Sequence, residues 1–207
     1  MTIKKVKQQI ITAATKEFLS WGFDGARMQA IADKAGVNKA LLHYYFESKE
    51  KLYYLVLKTA FSDLIEALLE IFGSEEDFEP WLKRLIQRLL REINSRPQFS
   101  RFVIWELNAR KRQLPRLFQE LLQERTQGRF LERIQAKLSR AGVGDYPAEQ
   151  FMLNVVSLCM YPSIARPLLE QVLGKELFSG PDFIVQREEE IFQLIKHGIL
   201  KRTRGDI

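Results

Sequence analysis

The sequence predicts an all-α fold: a three-helix helix-turn-helix head followed by a helical body, about nine helices in all. Three observations predict it. Seven prolines and eleven glycines are spread thinly through 207 residues. Apolar residues recur at spacings of three and four over long stretches, the period of an amphipathic helix. Residues 27 to 52 hold two short apolar-faced segments separated by one glycine, with a third opening behind them. The head is assigned to residues 1–48 and the body to 49–207.

The first helix runs from about Lys4 to Trp21, with Val6, Ile10, Ala13, Ala14 and Phe18 on one face and Phe18 and Trp21 covering its back. Met28, Ile31, Ala32 and Ala35 give the second helix its apolar face, and Ala32 is small enough for two helices to cross closely. Gly36 stands where a helix end needs a left-handed backbone. Val37 re-enters the core, and Asn38 can cap the next helix by accepting a free amide hydrogen. Leu42 and Phe46, four apart, anchor that third helix inward, so Asn38, Lys39, Ala40 and His43 face outward. This is the physical recipe of a helix-turn-helix, whose second helix enters the DNA major groove.

The body begins with one helix from Lys49 to Phe72, ended by Gly73 and Ser74. Pro80 opens a helix to about Ser95 with Trp81, Leu82, Leu85, Ile86, Leu89 and Ile93 inward. Pro97 opens another, holding Phe99, Phe102, Val103, Trp105 and Leu107, and residues 110–113 form a basic turn. A long helix runs from Pro115 through Leu138. The stretch from Pro147 to Tyr161 is the most apolar, and Pro162 kinks or ends it. Pro181 to Leu200 gives the last helix.

Composition bounds the function. Of the net charge of +6, residues 1–50 carry +3, from eight basic and five acidic side chains. That density suits either a phosphate-binding surface or a solvated basic face. The N-terminus has no apolar run of a secretory signal, and no uncharged stretch reaches membrane-spanning length, so a cytoplasmic protein is expected. Cys159 is the only cysteine, which excludes an intrachain disulfide and a cysteine-rich metal site. No enzyme, cofactor or metal is expected: His43 and His197 lie far apart, with no nucleophile or metal-ligand spacing around either.

The residues of the head resemble a known family. Ile10 to Ala14, the Gly22-Phe23-Asp24 turn, Ile31-Ala32 with Ala35-Gly36-Val37, and the aromatic run ending in Phe46-Glu47-Ser48-Lys49-Glu50 occur in the order found in the DNA-binding domain of the TetR family of bacterial transcriptional regulators. The resemblance covers roughly residues 5 to 58. It implies that Gln29, Lys39, Ala40, Leu41 and His43 lie near base edges, and that Tyr44, Tyr45 and Lys49 contact phosphate. Asn38, beside them, is included in the DNA-contacting surface. Ser48 can cap the fourth helix, whose free amides can also hold phosphate. His43 stands where the family often has tyrosine. Ala26 and Arg27 replace the usual hydroxyl residues, so Asp24 or Gly25 is expected to start the second helix and Arg27 to reach phosphate. For Tyr45 a packing role is the alternative, and for Lys4, Lys5 and Lys7 either a solvated terminus or a DNA-touching arm.

The same resemblance implies a ligand-responsive homodimer, most often a repressor, on a palindromic operator. The dimer helices fall at about 147–165 and 181–200, and the body encloses a pocket for a small molecule that releases DNA. Candidate pocket residues are Trp81, Phe102, Trp105, Asn108, Asn154, Cys159 and Tyr161, with ordinary core packing the alternative for each. The rival readings are a non-catalytic helical adaptor and a redox sensor built on Cys159, a residue whose apolar surroundings favour an inert thiol.

Overall fold

The computed structural model describes residues 3–95, 97–108, 113–126, 129–175, 178 and 182–200. Among them the chain forms eleven α-helices and no strand. In order these are α1 (Ile3–Gly25), α2 (Met28–Ala35), α3 (Lys39–Phe46), α4 (Lys49–Gly73), α5 (Phe78–Ser95) and α6 (Pro97–Asn108). There follow α7 (Gln113–Thr126), α8 (Phe130–Arg140), α9 (Ala148–Ile164), α10 (Arg166–Leu173) and α11 (Phe183–Ile195), with a π-helical turn over Lys196–Leu200. The expected basic turn at 110–112 and the helix-opening Pro181 lie outside the described residues, as do the side chains of Phe99 and Leu107. The stretch from Pro115 to Leu138 forms two helices, α7 and α8, where one was expected.

The chain forms two compact units. The first comprises Met1–Asp63 and Arg101–Glu120, the second Leu64–Ser100 and Leu121–Ile207. The first is built on a buried face of α1 that carries Ile10, Ala14 and Phe18, and Ile31, Leu42, Leu52 and Phe102 are fully buried in the same unit. Trp21 does not share in this cover: it is 61% exposed. Gly22 breaks the helical phase at φ 66°, ψ −174°, and the turn swings Phe23 inward instead. Phe23 lies 5.1 Å from the Tyr53 ring, which meets Phe18 edge-on at 4.7 Å.

The second unit is organised around Trp81 of α5. Its ring is fully buried and stacks on Phe151 of α9 at 5.7 Å, while its indole N–H donates to the Ile71 carbonyl at 3.0 Å. Residues 81, 82, 85, 86, 89, 90 and 93 of α5 are all buried, two adjacent lanes of a 3.6-residue period. Each such large side chain contributes about 1.5–3 kcal/mol on burial. Lys137 is buried too. Its ammonium donates to the Glu76 carbonyl at 2.7 Å and lies 5.6 Å from the Trp81 ring centre, and burial lowers its pKa.

Pro162 sits in the last turn of α9, which ends two residues later. A bend of 74° then separates α9 from α10. No single helix among the described residues is long and apolar enough to cross a membrane; α9 and α10 reach that length and composition only as a bent pair.

Candidate nucleic-acid interface

The interface is assembled by α2, the turn after it, α3 and the start of α4, all within the first unit. Gly36 ends α2 at φ 66°, ψ 31°, a left-handed conformation that costs an L-residue about 1–2 kcal/mol. The backbone N–H of Val37 then bonds back to the Ala32 carbonyl at 3.0 Å, closing the helix end. One residue later Asn38 is extended (φ −79°, ψ 156°) and its Oδ1 accepts the Leu41 amide at 2.7 Å. Leu42 and Phe46 are buried, which fixes the rotation of α3 about its axis.

That rotation decides what α3 shows. Lys39, Ala40, His43 and Tyr44 are exposed, Tyr44 by 78%, and Leu41 is half-buried. Asn38 is also exposed, but its side-chain oxygen is engaged by the cap, leaving its NH₂ as the outward group. His43 Nδ1 lies 3.4 Å from the Glu47 carbonyl. Gln29 is exposed on α2 and donates to Asp33 Oδ1 at 2.8 Å. Tyr45 is half-buried, edge-on to Tyr44 at 5.4 Å, and the Lys7 ammonium stands 5.5 Å from its ring centre.

Lys49 is less free than its position suggests. Its ammonium donates to the Asp24 carbonyl at 3.3 Å and covers the Phe23 ring at 4.9 Å, and partial burial lowers its pKa. Ser48 Oγ accepts the Lys51 amide at 3.1 Å, the cap of α4. Glu47, between the two helices, holds φ 57°, ψ −50° and pairs with Lys51.

Neither Asp24 nor Gly25 starts α2, because both complete the last turn of α1. Arg27 occupies the N-cap position in extended conformation, with its side chain exposed and no side-chain cap. The missing hydroxyl is replaced from α1. Glu17, 3% exposed, accepts the Arg27 backbone N–H at 3.5 Å and pairs with Lys34 at the other end of α2. A buried carboxylate at a helix N-terminus also meets the positive end of the helix dipole. Sequence reasoning missed Glu17, although an acid among Ile10, Ala13, Ala14 and Phe18 was the available signal.

Residues 10–54 match the family described as bacterial regulatory proteins, tetR family. Over those residues the chain is similar to the TetR family. The HTH-type transcriptional regulator RutR of Escherichia coli is 41% identical over 105 residues, 50% of this chain and 48% of RutR. The HTH-type transcriptional repressor SCO4008 of Streptomyces coelicolor is 34% identical over 100 residues, 48% of each chain. The chain spans about half the length of these curated relatives. Its fold is similar to that of the transcriptional regulator FadR from Bacillus subtilis in complex with stearoyl-CoA, with a TM-score of 0.64, 16% identity, and 90% of this chain and 96% of that one covered.

The seven candidate pocket residues are divided between the two units. Phe102, Trp105 and Asn108 belong to the first unit and the other four to the second. Trp81 and Phe102 are fully buried packing residues. Trp105 lies against Gly22, and Asn108 donates to the Ile104 carbonyl at 2.8 Å. Asn154 donates to the Tyr146 hydroxyl at 2.7 Å on the surface, and Tyr161 is exposed. Cys159 lines a cavity of about 200 Å³, together with Leu90, Asn94, Phe183 and Arg187. Among the described residues no cluster of three or more His, Cys, Asp or Glu is placed to hold a metal.

Proposed function

We propose that this protein is a ligand-responsive DNA-binding transcriptional regulator of the cytoplasm, a repressor that binds a palindromic operator as a homodimer and is released by a small molecule held in the C-terminal helices. The observation that carries this reading is α3: Leu42 and Phe46 commit one side to the core, and Lys39, Ala40, His43 and Tyr44 are left outward. A helix so anchored can enter a major groove, where a lysine donates to guanine and a small apolar side chain meets a thymine methyl. Arg27, Gln29, Asn38, Leu41, Tyr45 and Lys49 flank it, and the capped start of α4 offers backbone amides to phosphate.

Large exposed apolar side chains support the dimer. Leu153 and Tyr161 on α9, Leu168 and Val172 on α10, and Val185 and Leu194 on α11 are all more than half exposed. α9 packs against both α10 and α11, and large apolar side chains left exposed on such a group of helices suit a protein contact; a two-fold pair of heads reads a palindrome. Regulation would run through α4, one continuous helix from Lys49 to Gly73. An effector favouring the non-binding state by about 3 kcal/mol lowers DNA affinity about 150-fold.

The deciding experiment is selection of bound sites from random duplex DNA at about 150 mM salt, where nonspecific attraction is screened. A palindromic site is expected. Recovery of no specific sequence by a confirmed dimer would instead favour the helical adaptor. The redox-sensor reading is weakened by Cys159 itself, which is buried and whose thiol burial pushes up to about 12, far from a reactive thiolate.

A further inference from the structure

The cavity of about 200 Å³ in the second unit has an uneven lining. Its apolar walls are Leu90, Pro162, Phe178, Phe183 and Ile184. Its polar lining among the described residues is Asn94, Cys159, Ser163, Arg166 and Arg187, with two cationic groups and no carboxylate. A cavity so lined favours an anion with an apolar body.

The two arginines are not equivalent. Arg166 is occupied: Nε donates to Glu170 at 2.7 Å, Nη2 lies 3.4 Å from the Phe178 carbonyl, and the guanidinium sits 5.9 Å from the Phe178 ring centre. Among the described residues Arg187 is held by Nη2 donating to the Leu158 carbonyl at 3.0 Å. Its Nε is buried and has no hydrogen-bond partner among the described residues. A guanidinium stays charged in any protein setting, and a buried N–H without an acceptor is costly. The Leu158 contact orients the group while leaving a donor for an acceptor from outside. Cys159 contributes a neutral thiol, an apolar wall with no competing negative charge.

We infer that this cavity binds a small carboxylate with an aromatic or short branched body, the carboxylate accepting from the Arg187 guanidinium and the body lying against Phe178 and Phe183. These two rings stand 5.0 Å apart at 53°. The volume lies below the roughly 300–1,000 Å³ of drug-sized sites and suits a small ligand. As an effector class this rests on the reading of the protein as a ligand-responsive regulator; as a binding site it does not.

The test uses the full chain, with benzoate, phenylacetate and isovalerate set against their amides. Binding is followed by calorimetry and by the thermal midpoint of the natural chain. The acids are expected to bind and raise the midpoint, and the amides to bind at least about tenfold more weakly. Arg187→Gln should abolish the preference for acid over amide, and Arg187→Lys, which keeps the charge, should restore part of it. The inference is overturned if no acid binds at about 10 mM, if acid and amide bind alike, or if Arg187→Gln keeps the preference. Should Arg187→Gln fail to fold, the acid–amide comparison on the natural chain decides. DNA release is assayed separately: an acid that binds and leaves DNA affinity unchanged supports the site and sinks its regulatory reading.

Discussion

Arg187 donates from Nη2 to the carbonyl of Leu158 at 3.0 Å, and that carbonyl is the one Pro162 cannot bond. In an uninterrupted helix the amide of residue 162 would serve the carbonyl four residues back, but proline has no N–H. The guanidinium from α11 fills the gap. Replacing Arg187 by Met should therefore cost about 1–3 kcal/mol, because the carbonyl is left unsatisfied. In a Pro162→Ala background the helix supplies its own donor, and the cost of Arg187→Met should shrink. Urea denaturation of the four proteins of this cycle measures the coupling; additive effects would show that the carbonyl does not need Arg187.

Glu17 performs for α2 what a capping hydroxyl would. Its carboxylate serves the Arg27 amide and Lys34 from a site that is 3% exposed. Glu17→Ala should lower stability by about 1–2 kcal/mol, the range of a lost cap, since Lys34 is exposed enough to find water. DNA affinity should fall with it, because α2 braces α3. An unchanged thermal midpoint would mean that the α2 terminus needs no cap.

The head was legible because each of its features is local. Gly36, Asn38, Leu42 and Phe46 act within one or two helical turns, so spacing alone predicts the turn, the cap and the rotation of α3. Glu17 was missed because its partners lie 10 and 17 residues away, and no local pattern announces a carboxylate that caps another helix. Trp21 was misplaced for a related reason: extrapolating a helical period through Gly22 gives the wrong face once φ turns positive. The cavity was illegible except for Cys159, since Leu90, Arg166, Phe183 and Arg187 meet only through packing of α5, α9, α10 and α11.

Gly22 faces two constraints at once. Its φ of 66° is unfavourable to any side chain, and a Cβ there would stand 2.7 Å from Cε3 of Trp105. Gly22→Ala should destabilise by about 2 kcal/mol or more, the sum of backbone strain and overpacking. Pairing it with Trp105→Ala should remove the steric part and leave about 1–2 kcal/mol of backbone cost. If the double variant recovers nothing, the clash with Trp105 is not what the alanine meets.

DNA contacts on α3 and α4 should separate by their salt dependence. Lys49→Ala should weaken binding to all sequences and lower the salt slope by about one, as a lost phosphate contact does. Its present partners, the Asp24 carbonyl and the Phe23 ring, must then be exchanged for phosphate on binding. Lys39→Ala should cost about 1–3 kcal/mol at the preferred base and relax the choice there. Tyr44→Ala should act like Lys49→Ala on affinity, with a smaller change in slope. Titrations at several salt concentrations measure all three, and a flat slope change for Lys49→Ala would remove it from the phosphate contacts.

Cys159 gives stability a pH dependence of predictable sign. Burial dominates and raises its thiol from the usual 9.0 to about 12, with Arg187 opposing. Because the folded value lies above the unfolded one, the unfolded chain loses the proton first as pH rises. The thiol's contribution is then complete below the usual value and is lost between that value and about 12. Within the window the natural protein should lose about 1.4 kcal/mol per pH unit that Cys159→Ala does not lose. The alanine variant should start less stable, because a side chain has been removed from a packed wall, and close the gap as pH rises. Urea midpoints of both proteins at about pH 8 and about pH 10 measure this. Tyrosines and lysines titrate equally in the pair and cancel, so a gap that stays constant would mean that the Cys159 thiol reaches water in the folded protein.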